Sequence, residues 1–238
     1  ENFKRLIMLE GDTDEFENHY DGWKILFSSI KDGSEEENTV KFLQNCANDA
    51  GFETGFCYLE DVKFDEDEGV FDAKGNYYEY WFKLYPWEDI AFEDELPSIL
   101  NNIMENQKAI ILNPAYTLMF QSKGFMKILS DLFPDSPYLL KTSFEPLEGI
   151  KQVKKQFFGR EGANTQIIAA SGEILEETTG EYENYKSVYQ EYVELPKNAQ
   201  KEKYQAGLFF AYEPIALGFR KGGEILDNYA KFVSHKII

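Results

Sequence analysis

Residues 23–30, WKILFSSI, are an apolar run of strand length, and residues 52–62 supply a second. Between them Val40, Leu43, Ala47 and Ala50 recur at i, i+3, i+7 and i+10, the spacing of one helical face. Ser34 and Glu37 have the S-x-x-E spacing of a capping box, and Gly51 falls where a C′ glycine ends a helix. Strand, helix and strand at this spacing predict a βαβ unit. A hairpin follows, with Ala73-Lys74-Gly75-Asn76 near its turn, and then a dense aromatic strand over 77–87. Leu96, Ile99, Leu100, Ile103 and Met104 mark a helix, and residues 109–113 a short strand ended by Pro114. A helix after Lys123 is expected to bury Phe125, Ile128, Leu129 and Leu132 and to stop near Pro134.

From residue 152 the pattern changes. Short strand-like runs at 152–158, 165–170, 188–195, 204–213 and 215–219, joined by turns, predict an antiparallel sheet. The fold class is therefore α/β followed by α+β, with residues 1–110 as one subdomain and 111–238 as the next.

Composition narrows the classes. In 238 residues, 43% hydrophobic and 16% aromatic content is that of a globular chain with a sizeable core. Net charge is −19, and −13 of it falls in the first 70 residues, where 19 Asp and Glu meet 6 Lys and Arg. Nucleic acids and anionic membranes are poor partners for such a chain. No apolar run is long enough to span a membrane, and no signal peptide is present. Cys46 on a helix face and Cys57 in a strand-like run read as buried core thiols, which suits a cytoplasmic protein. The chain starts at Glu1, so further residues are expected upstream.

Few residues suggest histidine or cysteine chemistry. His19 and His235 lie at opposite ends, and no Ser-His, Cys-His or zinc spacing exists. Asp65 and Asp67 are spaced like calcium ligands, but the pattern fails afterwards, and they read as solvated turn carboxylates. The most informative stretch is Lys154 to Asn164, where a basic strand enters a loop holding Gly159, Arg160 and Gly162. Glycines let backbone approach phosphate oxygens, and Lys and Arg supply a point charge and a planar fork. On these residues alone a plain hairpin with a surface arginine is the simpler reading. No Walker or dinucleotide motif is present.

The order of several short strings goes further. Phe82-Lys83-Leu84-Tyr85-Pro86-Trp87-Glu88 resembles the KLYPWE segment of the glutathionylspermidine synthase family. Asn113-Pro114-Ala115-Tyr116 stands where that family has Glu-Pro-x-Trp, and Ser122-Lys123 where it has Asn-Lys. Leu132-Phe133-Pro134 and Tyr138-Leu139-Leu140 are similar to its LFPnHpyLL, and Lys155 to Asn164 to its KPxxGREGaNI. Tyr189-Gln190, Gly218-Phe219-Arg220 and Phe232-Val233-Ser234-His235 complete the series, which spans about 80 to 238.

The resemblance implies an ATP-grasp-like fold, with a pre-ATP-grasp-type βαβ subdomain and an antiparallel nucleotide-binding part. It also implies an ATP- and Mg²⁺-dependent carboxylate–amine ligase acting through an acyl phosphate. The acid would be peptide- or glutathione-like, and the amine polyamine-like. Lys123 and Lys155 would hold ATP phosphates, with Gly159, Glu161 and Gly162 in the loop closing over them. Arg160 and Arg220 would be catalytic, clamping the carboxylate and stabilising the transferred group. Gln190, Glu191, Tyr192 and Val193 would read adenine, with Gln205, Ile225 and Leu226 lining its pocket. Glu88 would face the amine. Departures are Gln156 for Pro, Asn113 for Glu, Tyr116 for Trp and Ser234 for Pro. The metal-binding carboxylates of the family lie in a YEYNADTP-like segment expected upstream. Asp12, Asp14 and Glu15 are too irregular to replace it. The alternatives are an ATP-grasp scaffold that has lost ligation and binds a nucleotide or partner, and a nucleotide-independent interaction module.

Overall fold

The computed structural model describes residues 22–211 and 213–236. Asp12, Asp14, Glu15 and His19 lie outside the described residues. The chain divides into two compact units, one ending at Leu118 and the other starting at Met119.

The first unit is built on a parallel sheet. β1 (Lys24–Ser28), β2 (Glu53–Phe56), β6 (Tyr80–Lys83) and β7 (Ile110–Ile111) lie in the order β2-β1-β6-β7. α1 (Ser34–Asp49) is the crossover between β1 and β2, which completes the expected βαβ unit. Because strand side chains alternate faces, β1 and β6 bury both of theirs. Ile25, Phe27 and Tyr80 pack with Val40 and Ala47 of α1 on one face. Leu26 and Trp81 pack on the other, against residues of α2 (Trp87–Ile90) and α3 (Leu96–Glu105). Trp81 has no exposed surface, so Trp81→Ala would cost about 3–5 kcal/mol as a large-to-small core change. A small antiparallel sheet, β3 (Lys63–Asp65), β4 (Gly69–Phe71) and β5 (Tyr77–Tyr78), adds Val70 and Tyr78 to this second core. The Asp65 carboxylate closes the β3–β4 turn by accepting from the Asp67 and Glu68 N–H groups, each at 2.9 Å.

Several details differ from the pattern. The N-cap of α1 is Gly33, and no side chain caps it. Glu37 is drawn off to Lys41 and Tyr58, so the Ser34–Glu37 capping box does not form. The other end is as predicted. Gly51 at φ +93° donates to Asn48 O, and Phe52 N–H returns to Ala47 O at 3.1 Å, a Schellman closure. The second strand stops at Phe56, before a 3-10 turn over Leu59–Asp61. The aromatic run over 77–87 divides between two sheets, because Tyr77 and Tyr78 pair with β4 and Tyr80 to Lys83 with β1. Cys57 is buried, but Cys46 is only half-buried, at the margin of the α1 face that meets the sheet.

The second unit contains α4 (Thr117–Gln121), which starts just before the division, α5 (Gly124–Leu132) and two antiparallel sheets. β8 (Thr142–Ser143), β9 (Gln152–Gln156), β10 (Gln166–Ile168), β11 (Ile174–Glu177) and β12 (Ser187–Glu191) lie in the order β11-β10-β9-β12-β8. β13 (Lys203–Ala211), β14 (Glu213–Gly222) and β15 (Lys231–Val233) form a three-stranded meander. The pattern marks β9, β10, β12, β13 and β14 but not β11 or β15, whose burial is too slight to leave a periodic signal. Nor does α5 bury the predicted face. Ile128 and Leu132 stay 49% and 65% exposed, because the helix rests on β8 and β12 along one edge only.

Candidate functional site

The site grows from β9. Alternation along this strand places Val153 and Lys155 on one face, with Ile167 of β10 and Gln190 of β12 opposite Val153. They form the floor of a cleft of about 500 Å³, within the range of small-molecule sites. Leu140, Ile167, Val193 and Leu195 supply apolar wall, while Gln205, Arg220, Ile225 and Leu226 of the β13–β15 region line the other side.

Two ammonium groups face this cleft with no carboxylate against either among the described residues. Lys155 Nζ donates to Gln190 Oε1 at 3.0 Å. Gln190 Nε2 in turn donates to Thr142 Oγ1 at 3.1 Å, which fixes the amide with its oxygen towards the lysine. Lys123 precedes α5. Its N–H donates to Phe157 O at 2.8 Å and its ammonium donates to Gly159 O, which ties it to the loop after β9. Burial pushes both lysines below their ordinary range, and for Lys123 the charge of Lys155 adds to the effect. An anion placed between them would relieve that cost.

The loop itself is shaped for close approach. Glu161, Gly162 and Asn164 are all left-handed, at φ +53°, +70° and +49°. A Cβ on Gly162 would stand 2.6 Å from Leu226 O, so the position excludes any side chain. Thr178 holds the Gly162 carbonyl, and Asn164 Oδ1 accepts from Tyr182 N–H at 2.9 Å. The N–H groups of Glu161 and Gly162 have no acceptor among the described residues. Consecutive N–H groups on such a turn form an anion-binding concavity. Arg220 is half-buried on β14, with one NH2 donating to Asp227 O at 3.1 Å and its Nε unpartnered. Arg160 lies on the same loop and also lines the cleft.

Of the fifteen residues singled out in the sequence, fourteen line this one cleft. The exception is Glu88, buried at 3% on α2 of the first unit. Sequence reasoning missed Lys203, Glu224 and Thr142. Lys203 is buried among Tyr192, Glu194 and Glu224, partners that no local pattern links to it. Two departures have structural consequences. Gln156 is buried, 2.8 Å from Ser187. The Asn113 side chain bridges strand ends by donating from Nδ2 to Lys83 O at 2.5 Å, while its backbone carbonyl accepts from Trp87 Nε1 at 2.7 Å.

The cleft therefore brings two lysine ammonium groups with no carboxylate against them beside a left-handed glycine loop, between two antiparallel sheets. Comparison with known proteins then gives the family: residues 1–238 match the glutathionylspermidine synthase preATP-grasp family, and the chain belongs to it. It is 26% identical over 186 residues to the bifunctional glutathionylspermidine synthetase/amidase of Escherichia coli K12, covering 68% of this chain and 30% of that protein. It is 28% identical over 180 residues to a putative acid–amine ligase of Haemophilus influenzae, covering 71% and 44%. It is 23% identical over 189 residues to trypanothione synthetase of Crithidia fasciculata, covering 71% and 29%. The chain thus spans less than half the length of these relatives, which are named as two synthetases and a putative acid–amine ligase.

Proposed function

We propose that this chain is the nucleotide-binding part of an ATP-dependent carboxylate–amine ligase of glutathionylspermidine synthase type. The observation that carries the reading is the convergence of Lys123, Lys155, Arg220 and the Gly162 loop on one cleft. In this reading the two lysines and the Glu161 and Gly162 N–H groups hold the phosphates of ATP. Gln190 spends its side chain on Lys155 and Thr142, so the base is met by backbone beyond it. The Val193 N–H has no acceptor among the described residues and suits that role. Gln205, Ile225 and Leu226 close the base from the opposite side.

The chemistry follows from charge placement. ATP gives its γ-phosphoryl group to an acid oxygen, ADP leaves, and an amine nitrogen then attacks the acyl carbon, loses a proton and expels phosphate. Arg160 and Arg220 orient the acid and neutralise charge that builds on the transferred group. Mg²⁺, when bound, would supply positive charge to the transferring phosphoryl group, but no cluster of His, Cys, Asp or Glu among the described residues fits it, and no step is assigned to it. The names of the relatives support a peptide- or glutathione-like acid and a polyamine-like amine. A net charge of −19 disfavours nucleic acid and favours a cationic amine. Among the described residues no helix is long and apolar enough to cross a membrane, and two unbridged cysteines support a cytoplasmic setting.

Calorimetric titration of the full-length protein with a non-hydrolysable ATP analogue and Mg²⁺ tests the reading. Wild type binds, and Lys155→Ala with Arg160→Ala weakens binding by roughly tenfold or more. Equal affinity in the two proteins would move the nucleotide away from this loop. Phosphate release on adding an acid and a panel of amines then separates a ligase from a scaffold that only binds.

A further inference from the structure

Lys203 opens β13 and is 1% exposed, yet its ammonium meets three groups from two other segments. Tyr192 Oη and Glu194, at 3.2 Å, come from the chain leaving β12. Glu224, at 2.6 Å, comes from the turn between β14 and β15. Tyr192 Oη also donates to Glu224 Oε1 at 2.5 Å, so phenol, ammonium and carboxylate close a ring of contacts. Lys151 covers the Tyr192 ring from 3.5 Å and holds the phenol in place. Burial alone would depress the Lys203 pKa, but the bonds to Glu224, Tyr192 and Glu194 outweigh it and hold the group raised. Glu194 is correspondingly drawn down to about 2, first by Lys203. The lysine is therefore a fixed charge, and a positive point with three bonded oxygens is a strong cross-link in a partly dry setting.

The segments it joins matter. Tyr192 adjoins Val193 on one wall of the cleft, and Glu224 adjoins Ile225 and Leu226 on the other. Without Lys203 these walls keep the Tyr192–Glu224 hydrogen bond but have no ion pair between them among the described residues. We infer that Lys203 is a positioning residue that sets the width of the base end of the cleft it helps to line, acting through Tyr192 and Glu224. This rests on the nucleotide reading given above. It makes affinity for the base depend on a group that carries no charge to the phosphates.

The test is titration of the full-length protein with the same ATP analogue and Mg²⁺, reading dissociation constant and stoichiometry separately. Lys203→Met and Glu224→Gln are each expected to raise the dissociation constant roughly tenfold with stoichiometry unchanged. Lys197→Ala removes an exposed partner of Glu194 and leaves both quantities as in wild type. A lower stoichiometry at unchanged affinity would show that Lys203 only maintains the fold, and would overturn the inference, as would unchanged binding. If Lys203→Met does not fold, Glu224→Gln decides by the same readings. If wild type binds no nucleotide, the reading of the cleft and this inference fall together. If wild type binds and only the Lys203 and Glu224 variants fail to differ from it, the inference falls alone.

Discussion

Lys83 carries an ammonium into the core of the first unit, where it has no exposed surface. It donates to Tyr85 O at 2.8 Å and lies 4.0 Å over the Trp87 ring, with no carboxylate in ion-pair reach among the described residues. Burial pushes its pKa down to about 7. Below that pH both folded and unfolded chains hold the proton, and the folded chain bears the full desolvation cost. As pH rises from about 7 towards the unfolded value near 10.4, the folded chain has released the proton while the unfolded chain still holds it. Stability contributed at this site therefore increases with pH across that window. Lys83→Met should stabilise the protein at pH 6, with the advantage over wild type shrinking by on the order of 2–4 kcal/mol by pH 9. Urea denaturation of both proteins at the two pH values measures this. A difference between the two proteins that did not change from pH 6 to pH 9 would mean that the lysine stays charged in the folded protein and is held by its Tyr85 and Trp87 contacts.

At the level of the element, the loop from Gly159 to Asn164 shows what a sequence can and cannot disclose. Its glycines and cations stand out by composition, and their order beside Lys123, Gln190 and Arg220 was legible as a resemblance. Its left-handed run was not, because nothing local marks Glu161 for positive φ, and Asn164, which tolerates that region, is too weak a signal alone. The same holds for α1. Its apolar spacing and Gly51 closure are local signals and appear in the structure, whereas Glu37 is taken from the N-terminus by Lys41 one turn on and by Tyr58, 21 residues away. The α5 helix marks the opposite failure, a good apolar period with too little sheet against it to bury. Gly162 gives the loop its sharpest prediction. Gly162→Ala adds a methyl 2.6 Å from a backbone carbonyl at φ +70°, where neither partner can rotate away. The substitution should cost about 1–2 kcal/mol in stability and also weaken the ATP analogue, since the displaced backbone carries Ile225 and Leu226 with it. Thermal unfolding and calorimetry read the two effects. Wild-type affinity in a destabilised variant would separate the loop from the ligand.

Across the whole molecule the two units differ in how they are held. The first has two dense cores on the faces of a parallel sheet. The second leaves Leu208, Phe209 and Phe210 exposed on β13 and depends more on polar ties such as Lys203. Both sheet types were legible, because buried parallel strands and half-buried antiparallel ones leave different periods. The Lys203 cluster was not, since its members are separated by up to 32 residues and share no spacing. A ligand that binds only the folded state adds stability by mass action, about 2.7 kcal/mol at a hundredfold excess over its dissociation constant. With the nucleotide in the cleft of the second unit, that gain should fall on the strands lining it. Hydrogen exchange with and without the ATP analogue should show slower exchange in Gln152–Gln156, Ser187–Glu191 and Lys203–Ala211. Exchange in Lys24–Ser28 and Tyr80–Lys83, whose contacts lie in the cores of the first unit, should stay as it was. Equal protection in both units would show that they unfold as one cooperative body. Protection confined to the first would put the ligand on the parallel sheet and remove the cleft from the reaction.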